Sequence, residues 1–248
     1  MAGSVQTYDP TGVLKPVTAN VWIVDGGAIE FGLPFLKLPF TTRTTIVRLP
    51  GGRLFVHSPT ALTRDLVDAI SEIGTVFWII APNRLHYWWL PEWRKAYPYA
   101  EVFVAPKVKE RAGKRIDFPV SVVEGAGEYP WSERIDTFAA VGDYMTELVF
   151  FDRMTQTLIL TDLIENFEER RYKPGWVRWL LRRSGVTDPE GKMPPDLRLT
   201  FRRRRKDLRV LVEKLIALDP QRIIIAHGRW YERDGAAELR RAFSWLLD

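Results

Sequence analysis

Short runs of apolar residues, broken every few positions by polar ones, dominate the first two thirds of the chain and predict β-strands. The predicted strands span residues 21–24, 44–49, 54–56, 76–80, 102–104, 120–123, 137–141, 146–151 and 157–160. A polar segment at 152–156 joins the last two strands as a hairpin-like turn. We expect this part of the structure to be largely antiparallel.

Apolar residues at helical spacing predict the remaining elements. A first helix is predicted over 62–73, with Thr63 as its N-cap, and a second over 91–96. An amphipathic helix over 208–216, a buried strand at 222–225 and a closing helix over 236–247 follow. This order predicts an α/β (α+β) fold in which two packed sheets are covered by helices on both outer faces.

Composition narrows the class of protein. The chain has 248 residues, 46% hydrophobic and 27% charged, so it can bury a substantial core, and we expect one domain over 1–248. Because cysteine is absent, disulfide scaffolds, zinc–thiolate sites, cysteine nucleophiles and iron–sulfur clusters are excluded. The longest uncharged apolar stretch, 75–83, is too short for a transmembrane segment, and the first ten residues lack a signal-peptide pattern. The expected location is cytoplasmic.

Positive charge is concentrated in one segment. The net charge is +5, yet residues 170–209 alone hold 14 basic and four acidic residues. We predict a basic helical insertion at about 166–207, whose short helix through Trp176 and Trp179 either forms a lid over the site or lies on an anionic membrane. The arginine run at 202–205 suits phosphate contacts, but no nucleic-acid recognition motif accompanies it, which disfavours nucleic acid as a partner.

All three histidines of the chain follow apolar strands. LFVHSP places His57, FWIIAPNRLH places His86, and RIIIAHG places His227, while TLILTD places Asp162 in the same way. Strand ends of α/β folds converge on the crevice where ligands bind, so we predict that these four side chains share one site. Three imidazoles and a carboxylate are ligands that zinc, iron and manganese accept. No close pairing such as H-x-H or H-E-x-x-H is present.

With these residues in view, the chain resembles the metallo-β-lactamase superfamily, which implies a four-layer αββα sandwich with a metal site at one edge. The family motif H-x-H-x-D-H aligns with residues 84–89, where only its second histidine remains, as His86. The bridging aspartate of the family matches Asp162, and its final histidine matches His227. The segments HSP, APN-x-x-H, LTDLIEN and AHG resemble an uncharacterised, domain-of-unknown-function branch with a reduced set of ligands.

The departures from the family pattern disfavour a two-metal hydrolase. They lie at Arg84, Trp88, Trp89 and Asp143, and at His57, which stands where the family has an aspartate close to the metals. The resemblance therefore implies a mononuclear site. Its ligands would be His86, Asp162 and His227, with His57 either as a fourth ligand or as a neighbour of the metal.

Residues near His86 have two interpretations each. Asn83 either orients His86 or donates a hydrogen bond to a substrate oxygen. The aromatic cluster Tyr87, Trp88, Trp89 and Trp93 either forms a wall for an apolar ligand or fills the volume of the lost second metal. Ser58 adjoins His57, but neighbours on an extended chain point to opposite sides, which argues against a serine–histidine pair.

The predicted function is hydrolysis of a small molecule by one divalent metal, zinc or else iron or manganese, with Asp162 and His86 in the reaction centre. Two histidines and one carboxylate would also suit a non-haem iron redox protein. A metal-free domain that binds a ligand or a partner is the remaining alternative.

Overall fold

The computed structural model describes residues 5–33 and 36–248, so the first four residues of the segment considered for a signal pattern lie outside the described residues. Its strands are β1 (Lys15–Thr18), β2 (Val21–Leu33), β3 (Leu36–Arg48), β4 (Arg53–His57), β5 (Thr75–Ala81), β6 (Glu101–Val104), β7 (Ser121–Val122), β8 (Ile135–Val141), β9 (Thr146–Asp152), β10 (Thr157–Ile159) and β11 (Arg222–Ile224). Its helices are α1 (Arg64–Ile73), α2 (Leu90–Ala96), α3 (Val108–Ala112), α4 (Gly175–Ser184), α5 (Pro195–Thr200), α6 (Arg205–Ala217), α7 (Gly235–Ala242) and α8 (Ser244–Leu247), with 3-10 turns at Pro50–Gly52, Gly113–Arg115 and Glu169–Arg171.

Within the described residues the strands form two sheets. The larger has the order β1-β2-β3-β4-β5-β6-β7 and the smaller the order β11-β10-β9-β8. Neighbours from β1 to β4 are antiparallel, whereas β4 to β7 are parallel. The prediction of a largely antiparallel arrangement is therefore wrong for this edge. Helices α1, α2 and α3 each carry the chain back across the sheet, which makes the next strand run parallel.

Successive side chains along a strand of the smaller sheet point to opposite faces, and one of these faces packs against the larger sheet. In the smaller sheet, Leu148, Phe150 and Ile159 join a core with the larger sheet, and Phe55 meets Phe150 edge to face at 5.0 Å between ring centroids. The alternate residues Val149 and Phe151 join a second core with α6, α7 and α8. The predicted two-sheet architecture with outer helices, a four-layer αββα sandwich, is confirmed.

Strands β2 and β3 extend well beyond the predicted lengths and form a long hairpin of 13 residues on each side. The polar residues in its outer half hid it from a search for apolar runs. The basic segment packs against this hairpin, because Phe167, Val177 and Leu181 form a small core that contacts Leu38 and Phe40. The hairpin and the segment thereby border the same edge of the sandwich.

Helix α4 buries Val177 and Leu181 and leaves Trp176 and Trp179 exposed by 51% and 62%. Its tryptophans therefore face away from the core. Among the described residues, none of α4 lines the central cavity, which is bordered instead by α5. The helix of this segment that borders the cavity is therefore α5 and not α4, the helix for which the lid was predicted. None of the described helices is long and apolar enough to cross a membrane.

Candidate metal centre

Three of the four predicted residues meet at the edge of the sandwich. His86 lies in the turn after β5, Asp162 just beyond β10, and His227 just beyond β11. The His86 Nε2 and His227 Nε2 atoms lie 3.3 Å apart, and they lie 3.3 Å and 3.1 Å from Asp162 Oδ1. A tetrahedral metal with ligands at about 2.0–2.1 Å holds them about 3.3–3.4 Å apart. The spacing of these three atoms therefore fits one such ion.

The second nitrogen of each imidazole is bound by the protein. His227 Nδ1 lies 2.7 Å from the Thr41 carbonyl oxygen, which can only accept, so this nitrogen carries the proton. In a neutral ring, Nε2 then presents a lone pair, which faces the carboxylate of Asp162 at 3.1 Å. Two electron-pair donors at this distance in a buried site require a cation between them, either a proton or a metal ion.

His86 is oriented by a serine. Its Nδ1 lies 2.8 Å from Ser58 Oγ, which leaves Nε2 directed at Asp162 and His227. The argument against a serine–histidine pair is therefore wrong, because it considered only His57. Ser58 is not extended: its φ of 54° lies in the left-handed region, so its side chain projects toward a different histidine.

Asn83 connects two of the candidate ligands. Its Nδ2 donates to Asp162 Oδ2 at 2.7 Å, and its Oδ1 accepts from the backbone N–H groups of Leu85 and His86. Asn83 is fully buried and does not border the cavity. Of its two predicted roles, the orienting one matches this geometry. The predicted substrate contact does not, since the amide is already engaged within the protein.

Asp162 is held as an anion. Burial by itself would raise the pKa of its carboxyl, but the imidazoles and hydrogen bonds of His86 and His227 outweigh burial and lower that pKa. A carboxylate is the form that ligates metals.

A residue missed by the sequence interpretation, Glu147 of β9, shapes the turn that carries Asp162. Its carboxylate accepts hydrogen bonds from the backbone N–H groups of Thr161 at 2.7 Å, Asp162 at 2.8 Å and Leu163 at 3.2 Å. Burial, followed by the charge of Asp162, raises the pKa of Glu147 to about 7. A glutamate directly before the apolar run LVFF, at a strand position, was the signal that could have identified it.

His57 lies outside the group of three. It ends β4, its ring packs edge to face on Phe150 at 5.5 Å between centroids, and among the described residues it has no place in the metal-ligand cluster. Burial, aided by the charge of His86 and opposed by Asp162, lowers its pKa to about 3, so the imidazole is neutral. Within the described structure its Nε2 has no hydrogen-bond partner. The predicted role as a fourth ligand gains no geometric support, whereas that of a neighbour is consistent with this position.

A cavity of about 390 Å³ opens onto the three candidate ligands. Trp88 and Trp89 border it, as the wall interpretation predicts. Tyr87 and Trp93 do not, because both are buried in the core of the larger sheet, where Trp93 Nε1 donates to the Thr60 carbonyl. Two rings of the aromatic cluster therefore border the cavity and two lie in the core, and the predicted substrate contact of Tyr87 gains no support from this position.

Two further acidic residues border the cavity and were missed. Glu165 lies three residues after Asp162 in the chain, and Asp196 lies in α5. Burial, followed by the charges of Asp162, Asp196 and Glu147, raises the pKa of Glu165 well above its usual value. Nothing in the local sequence LTDLIEN distinguished Glu165 as a cavity residue.

Comparison with solved structures identifies the fold. The DIM-1 metallo-β-lactamase matches with a TM-score of 0.62 at 11% identity, over 97% of this chain and 98% of that one. FIM-1 from Pseudomonas aeruginosa, in its mono-zinc form, matches with a TM-score of 0.58 at 11% identity, over 99% of both chains. The metal-soaked Flv1 flavodiiron core from Synechocystis sp. PCC6803 matches with a TM-score of 0.60 at 13% identity, over 100% of this chain and 62% of that one.

Comparisons of sequence give fewer matches than comparisons of structure. None of the curated proteins matches the chain. The family model of DUF4336, a domain of unknown function, matches residues 20–174, which is more than half of the chain and includes His57, His86 and Asp162. As the sequence resemblance predicted, the chain belongs to the DUF4336 family and has the metallo-β-lactamase fold.

Proposed function

We propose that this protein holds one divalent metal ion between His86, Asp162 and His227 and hydrolyses a small molecule in the adjoining cavity. The observation that carries the proposal is the triangle formed by His86 Nε2, His227 Nε2 and Asp162 Oδ1, 3.1–3.3 Å on each side. Zinc, iron and manganese are the candidate ions, because each accepts this donor set.

The chain's own groups prepare such a site. Thr41 and Ser58 fix the two imidazoles, while Asn83 and Glu147 fix the carboxylate and its turn. When bound, the ion would supply Lewis acidity that polarises a carbonyl or phosphoryl oxygen and makes a water molecule more acidic. Trp88 and Trp89 border the cavity and give this part of its wall an aromatic surface.

A single ion is favoured over two. Where the family motif has further metal-binding residues, this chain has Arg84, Trp88 and Trp89. Arg84 stacks on the ring of Tyr144 and donates to its carbonyl, so it occupies its position as a structural residue. Within the described residues, the group of side chains close enough together to hold one ion consists of His86, Asp162 and His227. One protein of this fold, FIM-1, has been solved in a mono-zinc form.

A non-haem iron redox protein is the second candidate. Two histidines and one carboxylate form the donor set of many mononuclear iron sites, and the flavodiiron core of Flv1 shares this fold. The two functions differ in the metal that supports activity and in the consumption of oxygen.

The deciding experiment measures metal content by elemental mass spectrometry and metal affinity by calorimetry. We expect about one equivalent of zinc, iron or manganese in the wild type and none in the double variant His86→Ala/His227→Ala. The control is Glu190→Gln, an exposed carboxyl, which should keep the metal. Hydrolysis of an ester and phosphoester panel, set against oxygen uptake by the iron-loaded protein, separates the two functions.

No metal in the wild type after incubation with each ion would overturn both candidates. The protein would then be a metal-free domain that binds a ligand or a partner.

A further inference from the structure

The cavity has an acidic and aromatic lining in a chain that is basic overall. The chain has 36 Lys and Arg residues, yet among the described residues that border the cavity none is Lys or Arg. Three carboxyl groups border it, those of Asp162, Glu165 and Asp196. A cavity that recognises phosphates or carboxylates would be expected to present the opposite charge.

Glu165 is the central observation. The residue is only 9% exposed, and it borders the cavity. Its backbone pairs with Lys192, but within the described part of the chain its carboxyl has neither a hydrogen bond nor an ion pair. Buried carboxyls are normally paired, so an unpaired one that faces a cavity indicates that its partner comes from the ligand.

The electrostatic environment agrees with this assignment. Burial and the negative charges of Asp162, Asp196 and Glu147 disfavour the charged form of Glu165. A metal at Asp162 would neutralise one of these charges, while Asp196 remains at the cavity. A cation that entered beside Glu165 would relieve the remaining repulsion.

The rest of the lining suits an apolar body. Phe31, Phe40, Trp88, Trp89 and Tyr144 present aromatic surface, and such rings also attract cations through their faces. The guanidinium of Arg84 lies over the Tyr144 ring without bordering the cavity itself.

We propose that the cavity binds an organic cation, an ammonium group attached to an apolar body, with Glu165 and Asp196 as the groups that recognise the charge. This inference rests on the proposed function only in that it names the ligand class of the same cavity.

The test uses three probes of equal length: 3-phenylpropylamine, 3-phenylpropanol and 3-phenylpropionate. Calorimetry near neutral pH, where the amine is protonated, is performed first on metal-free protein, so that ligation of a metal by the amine cannot contribute. We expect the amine to bind about ten-fold or more tightly than the alcohol, and the carboxylate to bind least, because one charge-paired hydrogen bond is worth about that factor.

The variants Glu165→Gln and Asp196→Asn should each reduce the preference for the amine, with the larger loss at Glu165, whereas Glu190→Gln should not. Asp196 is exposed, so Asp196→Asn should leave the fold intact. It therefore tests the preference for the amine even if Glu165→Gln folds poorly. The proposal is overturned if the alcohol or the carboxylate binds as tightly as the amine, if none of the probes binds, or if both cavity variants retain the preference. Because binding of the probes is measured on metal-free protein, the result does not depend on whether the protein binds a metal. The two proposals can therefore fail independently.

Discussion

Ser58 Oγ lies 2.8 Å from His86 Nδ1, although Ser58 follows a different histidine directly in the chain. The contact depends on the left-handed backbone of Ser58, with φ at 54°, at the end of β4. A non-glycine residue in this conformation costs on the order of 1–2 kcal/mol. The strained backbone of Ser58 lies beside the candidate metal centre. We infer that the hydrogen bond that orients His86 compensates for this strain.

Replacing Ser58 should weaken metal binding without unfolding the protein. Both Ser58→Ala and Ser58→Gly remove the hydroxyl, so each should reduce metal affinity by about 10- to 100-fold, as for other groups that orient a ligating histidine. Only glycine relieves the strained φ, so Ser58→Gly should melt higher than Ser58→Ala. Affinity is measured by competition with a chelator. Unchanged affinity combined with lost hydrolysis would contradict an orienting role and place Ser58 in the reaction itself.

Glu147→Gln should destabilise the turn that carries Asp162. A glutamine offers one acceptor oxygen, so its NH₂ group would face a backbone N–H that now donates to the carboxylate. The expected loss is about 1–3 kcal/mol in the free energy of unfolding, measured by urea denaturation. Glu101→Gln, at an exposed position of β6, is the matched control and should change little. Equal stability of the two variants would refute the role assigned to Glu147.

Gly228→Ala should disrupt the segment that positions His227. Gly228 has a φ of 90°, and a Cβ there would lie 2.0 Å from the Asn166 carbonyl oxygen. We expect a loss of at least about 2 kcal/mol in stability together with loss of metal binding. Gly27→Ala is the control, because a Cβ at Gly27 meets no atom within 4 Å. Normal melting of Gly228→Ala in a thermal scan would contradict this account.

Bound metal should raise the melting temperature. A ligand present at 100 times its dissociation constant stabilises the folded state by about 2.7 kcal/mol. Chelation of the wild type should therefore lower the melting temperature, and Asp162→Asn should show a much smaller response. An identical response in both proteins would mean that the ion acts elsewhere.

The Glu168 cluster should make stability depend on acid pH. Burial alone would raise the pKa of Glu168, but Arg171, Tyr8 and Arg170 outweigh it and lower that pKa to about 2. Because the folded pKa lies below the unfolded value of about 4.3, the contribution is complete above the unfolded value and disappears as the pH falls toward 2. The difference in melting temperature between wild type and Glu168→Gln should therefore be largest at neutral pH and vanish near pH 2. A difference in melting temperature that grows as the pH falls would contradict the lowered pKa of Glu168.

Local pattern was sufficient for most elements and for three members of the candidate site. Apolar runs identify strands such as β5 and β9, because backbone periodicity acts over a few residues. A polar residue directly after a buried strand identifies His86, Asp162 and His227, because strand ends meet at one edge of such folds. The family motifs placed these residues in a metallo-β-lactamase-like arrangement before any contact was known.

Other features were decided by tertiary structure alone. The hydrogen bond between Ser58 and His86, and those that the backbone of the Asp162 turn donates to Glu147, join residues that are distant in the chain. No local period encodes such contacts, since they depend on how the two sheets pack and on a single left-handed residue. The charge of the cavity shows the same division. Composition describes a basic chain, and only packing placed the carboxyls of Glu165 and Asp196 at the border of the cavity, where none of the described lining residues is Lys or Arg.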